Sequence, residues 1–141
     1  MSNVSLALSR REMDCLESVH SLSSDGWPAR VKDVAVTMKI APPTALQFLA
    51  KLMGMDLVEK GPSGYRLSKE GADCFKRATR THRLIETVLV RNGLPLEEAC
   101  RVSSSMAIPI DEADLEKLCA HLSHPEKCPH GRPIPVGARH V

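Results

Sequence analysis

The chain has 141 residues, 43% of them hydrophobic, with 19 lysines and arginines against 17 aspartates and glutamates. That length buries one good core, or one small domain plus a helical extension sharing its core with a partner, and the second organisation is expected. A formal charge of +2 excludes a general basic coat, and the absence of an 18-residue apolar run or a charged-then-apolar leader points away from membrane and export.

Ser9-Arg10-Arg11-Glu12 has the Ser-x-x-Glu spacing of a capping box, so a helix is predicted to start there with Met13, Leu16, Val19 and Leu22 on one face. Asp25-Gly26-Trp27-Pro28 is a turn. Val31, Val34, Ala35 and Met38 then fall at i, i+3, i+4 and i+7, one stripe of a second helix. Lys39-Ile40-Ala41 turns the chain into a third helix through Met53, in which Pro43 suits the first position because proline has no N–H to leave unbonded. Leu57-Val58-Glu59-Lys60 and Tyr65-Arg66-Leu67 read as short strands around Gly61-Pro62-Ser63-Gly64, a hairpin whose glycines can take positive φ.

From Ser68 a long helix is predicted to carry Ala72, Phe75, Thr79, His82, Ile85, Glu86 and Leu89 along one side, ending near Asn92-Gly93. Pro95 to Met106 and Asp111 to Leu122 are two further helices separated by Ile108-Pro109, and the Pro/Gly/His-rich tail from Ser123 is expected to be irregular. The fold class is therefore mainly α, an N-terminal winged helix-turn-helix followed by a helical dimerisation domain. The expected boundaries are 1–71, 72–123 and a tail at 124–141.

A winged helix-turn-helix most often sets its third helix in the major groove of double-stranded DNA. Thr44, Gln47 and Lys51, spaced three and four apart, are its outward polar residues, and Lys51, Lys60, Arg66 and Lys69 are candidates to neutralise phosphates, with Ser63 at the wing. Five cysteines at irregular spacing (Cys15, Cys74, Cys100, Cys119 and Cys128) read as free thiols or ligands in a reducing cytosol, which makes the expected location cytoplasmic. The tail cluster of Cys119, His121, His124, Cys128 and His130 has the residue types of a zinc site but irregular spacing, and a structural turn is the favoured reading. No phosphate loop or metalloprotease motif occurs, so an enzyme is not expected.

Six stretches carry a resemblance to a known family: Arg30-Val31-Lys32-Asp33-Val34-Ala35, Pro42-Pro43-Thr44, Leu67-Ser68-Lys69-Glu70-Gly71, Thr81-His82-Arg83-Leu84-Ile85-Glu86, Glu98-Ala99-Cys100-Arg101, and Cys128-Pro129-His130-Gly131-Arg132-Pro133-Ile134-Pro135. In this order the chain resembles the DtxR/MntR family of metal-dependent transcriptional repressors over nearly its full length, without room for the C-terminal barrel of longer members. The resemblance implies a homodimer on a near-palindromic operator, and contacts of Pro42 and Pro43 with thymine methyls. Leu46 departs from it, standing where relatives usually carry a small polar residue.

The resemblance also implies a divalent metal, Fe(II) or Mn(II), on Asp14, Glu17, His82, Glu86 and Cys100, with the thiolate opening the site to Co(II) or Zn(II). The family pattern continues with a carboxylate and a histidine three and four residues after Cys100, where this chain has Ser103 and Ser104. The site is thus read as depleted. The alternatives kept open are a regulator of the same fold answering to oxidation or another ligand, and a winged helix that binds protein.

Overall fold

A computed structural model describes residues 8–106 and 110–135; the predicted break at Ile108-Pro109 lies outside them. The first helix, α1 (Arg10–Leu22), opens on the capping box its sequence announces: Ser9 Oγ accepts from the Glu12 amide at 3.1 Å and Glu12 Oε1 accepts from the Ser9 amide at 3.3 Å. It is followed by α2 (Val31–Met38) and α3 (Pro42–Gly54). Lys39 takes a left-handed φ of 57°, which lets the Ile40 amide reach back to the Ala35 carbonyl and turn the chain sharply between them. Pro42 and Pro43 occupy the first two positions of α3, one residue earlier than predicted.

The hairpin pairs β1 (Val58–Gly61) with β2 (Gly64–Leu67), and Tyr65 also exchanges two 2.8 Å backbone bonds with Ala29, which ties the wing to the segment before α2. A Cβ at Gly64 would meet the Ala29 carbonyl oxygen at 2.5 Å, so only glycine permits this approach. Leu16, Val19, Val34, Leu49, Leu52 and Leu57 fill the core among these elements. Each contributes about 1.5–3 kcal/mol through burial.

α4 (Lys69–Arg91), α5 (Leu96–Ser105) and α6 (Glu112–His121) complete the chain, which forms two compact units, residues 1–75 and 76–141, with the junction inside α4. In the second unit Leu84, Leu115, Cys119, Leu122, Cys128 and Ile134 form the core, so the tail contributes to it. A short antiparallel bridge, Lys127 with Pro133, gives the tail more order than its composition predicts. The predicted stripe on α4 needs correction. Ala72 is exposed, whereas Arg80 and Thr87, which lie outside the predicted stripe, are buried along with Glu86, which belongs to it; hydropathy periodicity does not register polar groups that are satisfied inside the fold. Arg80 shows how: its guanidinium bonds Glu112 at 3.1 Å and also Glu116, both from α6. No helix among the described residues is long and apolar enough to cross a membrane.

Candidate functional site

On α3, Ala45, Leu49 and Leu52 face the core, which leaves Pro42, Pro43, Thr44, Leu46, Gln47, Ala50 and Lys51 exposed. The polar residues expected to read DNA thus lie on the accessible side. Ser63, Lys60 and Arg66 of the hairpin are exposed as well. Two of the cations have internal partners that the sequence did not suggest: Lys51 Nζ donates to Glu12 Oε1 at 3.1 Å, and Arg66 donates to the Gly26 carbonyl at 3.0 Å. Lys60 lies 5.9 Å from the centre of the Tyr65 ring.

The Lys51–Glu12 pair ties α3 to the start of α1. Burial alone would raise the Glu12 pKa, but hydrogen bonds from Ser9 and Lys51 outweigh it and hold the carboxyl below its ordinary 4.5. Because the folded-state pKa is depressed, this stabilisation is present above pH 4.5 and is lost as pH falls through the folded value. A Glu12→Gln variant is therefore expected to be about 1–2 kcal/mol less stable at neutral pH. It should also lose less stability than wild type on acidification, which thermal melts between pH 3 and 7 would reveal as converging curves. Parallel curves would remove Glu12 from the account.

The second unit gathers donors around one carboxylate. Glu86 is 1% exposed; its Oε1 lies 2.8 Å from His130 Nδ1 and its Oε2 3.4 Å from His82 Nε2. His82 and Glu86 are one turn apart on α4, while His130 arrives from the tail, where the Cys128 amide bonds the Arg132 carbonyl and the Gly131 amide bonds the Cys128 carbonyl. Two triads result, His82–Glu86–Cys100 and Glu86–Cys128–His130, and within each the donor atoms lie within 4.8 Å of one another. Glu86 belongs to both.

Burial, and then the adjacent Glu86 charge, raise the Cys100 thiol above its ordinary 9.0, against smaller opposing effects of Ser104 and Arg132. A metal replacing that proton would bind more weakly as pH falls. Ser103 and Ser104 take other parts: Ser103 is buried with its hydroxyl bonded to the Cys100 carbonyl at 3.1 Å, and Ser104 hydrogen-bonds the Cys100 thiol. Imidazole, thiolate and buried carboxylate together suit borderline divalent ions.

His82, Glu86 and Cys100 of the expected ligand set are thus brought together. Asp14 and Glu17 belong to α1 in the first unit, where Asp14 pairs with Arg10 at 3.1 Å and Arg11 at 3.6 Å and Glu17 is exposed. The tail turn that was expected is present, but sequence reasoning missed that it sets Cys128 and His130 beside Glu86. The only sequence signal was the density of Cys and His residues. The other members of that cluster sit elsewhere: Cys119 Sγ lies 3.6 Å from His124 Nδ1, and His121 is exposed.

A family model described as iron dependent repressor, metal binding and dimerisation domain matches residues 68–136. The transcriptional regulator MntR of Escherichia coli O157:H7 is 29% identical over 110 residues, 76% of this chain and 71% of that protein. Among solved structures, a hypothetical protein of Sulfolobus solfataricus superposes with a TM-score of 0.83 at 32% identity, covering 92% of this chain and 100% of that one. ScaR with bound Zn2+ superposes with a TM-score of 0.75 at 29% identity, over 89% of this chain and 59% of its own.

Proposed function

The chain belongs to the DtxR/MntR family of metal-dependent transcriptional repressors, and from that premise we propose that it is a homodimeric DNA-binding regulator whose operator affinity is set by a divalent metal held around Glu86. The observation that carries this reading is the 1%-exposed Glu86 carboxylate, shared by two triads of His and Cys donors within the segment matched by the metal-binding and dimerisation model. His82, Glu86 and Cys100 would hold one ion, and Glu86, Cys128 and His130 offer a second donor set. A bound ion would supply positive charge to neutralise the carboxylate, with His82 and Glu86 of α4 and Cys100 of α5 as one set of residues to hold it and Glu86 with Cys128 and His130 of the tail as the other. Two thiols in reach favour Fe(II), Co(II) or Zn(II) over Mn(II). The alignment position of Ser103 and Ser104 leaves the family's usual acid and imidazole unfilled, and Asp14 and Glu17 remain candidates only through the resemblance.

Control by metal requires that the ion bind the DNA-competent state more tightly than the other state. Gln47 and Thr44 would contact bases, and Lys60, Arg66, Lys69 and the helix-start prolines would seat α3 against the duplex, so two-fold symmetry of a dimer predicts a near-palindromic operator. Operator binding by the purified protein tests the reading. Chelator is expected to weaken it by roughly tenfold or more, a coupling of about 1.4 kcal/mol, with recovery on adding Zn(II), Co(II) or Fe(II) and less with Mn(II). Binding should also fall steeply as salt rises. Binding unchanged by chelator would eliminate metal control, and a flat salt dependence would count against DNA.

A further inference from the structure

The exposed side of α3 carries two stripes rather than one. Thr44, Gln47 and Lys51 form the polar stripe; Pro43, Leu46, Ala50 and Met53, spaced three, four and three apart, form an apolar one, with Leu46 48% and Met53 36% exposed. Pro43 and Ala50 are one-turn neighbours of both Leu46 and Gln47, so the stripes make a continuous surface. The core side of the helix is already filled by Ala45, Leu49 and Leu52, and Leu46 has no place there.

We propose that Leu46 is a specificity-determining residue which, flanked by Pro43 and Ala50, reads thymine 5-methyl groups in the major groove beside the contacts of Gln47. The inference rests on the DNA-binding reading above. A protein partner is disfavoured by charge: α3 has no carboxylate anywhere along Pro42–Gly54, its N-terminus has no side-chain cap, and Lys60 and Arg66 are exposed on the wing. That distribution complements a polyanion. Small residues on either side of Leu46 let the helix approach closely.

The groove edges then decide the base. Guanine, adenine and cytosine present donors and acceptors but no methyl group there, and a leucine over one of those polar groups removes its water without replacing the bond. Thymine alone offers a methyl group. Leu46 therefore selects thymine by attraction and rejects cytosine by the uncompensated amino group it would cover.

The test uses the full chain with metal present and a library of randomised duplexes, from which bound sequences are enriched and then rebuilt with single thymine-to-uracil replacements that delete only the methyl group. Uracil at one or two positions in each half-site is expected to weaken wild-type binding by about fourfold, the worth of burying one methyl. A Leu46→Ser variant should be indifferent to those replacements, and a Gln47→Ala variant should keep them. Leu46→Ala, with a melting temperature matched to wild type, serves if the serine variant is unstable. Wild-type binding insensitive to uracil at every thymine overturns the proposal, and so does a Leu46→Ser variant that stays equally sensitive, since the methyl would then be read by other residues. Failure to enrich any sequence with wild type overturns the DNA-binding reading itself, and is distinguishable from both.

Discussion

Alanine at position 71 is expected to lower the melting temperature of the first unit by roughly ten degrees or more and to abolish DNA binding with it. Gly71 sits in the first turn of α4, where a Cβ would lie 1.9 Å from the Leu57 carbonyl oxygen and 2.8 Å from its carbon. The obstacle is backbone, which has no rotamer to move. It is also fixed from several sides. The Leu57 amide bonds the Leu52 carbonyl at 3.0 Å and the Leu57 carbonyl accepts from Ser68 at 3.0 Å. Ser68 Oγ donates to the Asp56 carbonyl at 2.6 Å and accepts from the Gly71 amide at 2.9 Å. Relieving the overlap breaks part of this set and shifts Leu57, which is 2% exposed at the root of the wing.

Overpacking costs about 1–3 kcal/mol, and each hydrogen bond given up about 1 kcal/mol more. For a unit of this size every kcal/mol moves the melting temperature by roughly 4–8 °C. Gly54→Ala is the control, because nothing lies within 4 Å of its Cβ and its φ is not positive. It should be neutral or slightly stabilising. Circular dichroism melts of the two variants would decide the matter, and a Gly71→Ala variant melting within about two degrees of wild type would refute the steric argument.

The elements of the fold were legible because their signals are local. Ser9 and Glu12 cap α1 through bonds spanning three residues, the stripe of Val34, Ala35 and Met38 repeats at the helical period, and two strands flank a Pro-Ser turn. What stayed hidden are groups whose meaning depends on chain segments far apart in sequence. Glu12 looked like a cap alone, yet it also receives Lys51 across 39 positions. Glu86 looked like the partner of His82 one turn away, yet His130 reaches it from 44 positions on. Periodicity marks which side of a helix is apolar, but it does not say which loop returns to that side or which acid is buried there. Cysteines were similarly ambiguous. Cys15 is fully buried, its thiol pushed up to about 11 by burial, which makes it an inert core residue. Cys100, half-buried beside Glu86, has the same residue type and a different surrounding.

Glu86→Gln is expected to remove the whole metal response, where His82→Ala and His130→Ala each remove part of it. Glu86 is the residue common to both triads, and the substitution keeps its shape while exchanging a carboxylate for a neutral amide. An amide oxygen is a weak ligand for the ions that imidazole and thiolate select. Its nitrogen end also presents hydrogens to one imidazole, so the pair of contacts at 2.8 Å and 3.4 Å cannot both persist with the same histidine tautomers. A loss of roughly hundredfold or more in affinity follows, at least that of disturbing a ligand's supporting bonds. The histidine variants discriminate further. His82 belongs only to the triad with Cys100, and His130 only to the triad with Cys128, so each variant leaves three of the four donors around Glu86 and one intact triad.

Two measurements read this out. Titration with Co(II), whose absorption reports thiolate ligation, should give reduced amplitude in the histidine variants and none in Glu86→Gln. Thermal melts supply the second: an ion at one hundred times its dissociation constant stabilises the folded state by about 2.7 kcal/mol, so wild type should melt higher with metal and Glu86→Gln should not move. Without metal the Gln variant should melt near wild type, because it retains shape and removes a buried charge. A Glu86→Gln protein that titrates and melts like wild type in the presence of Co(II) would mean that the effector binds away from this carboxylate. In that event the regulator would be of the same fold but answer to another signal.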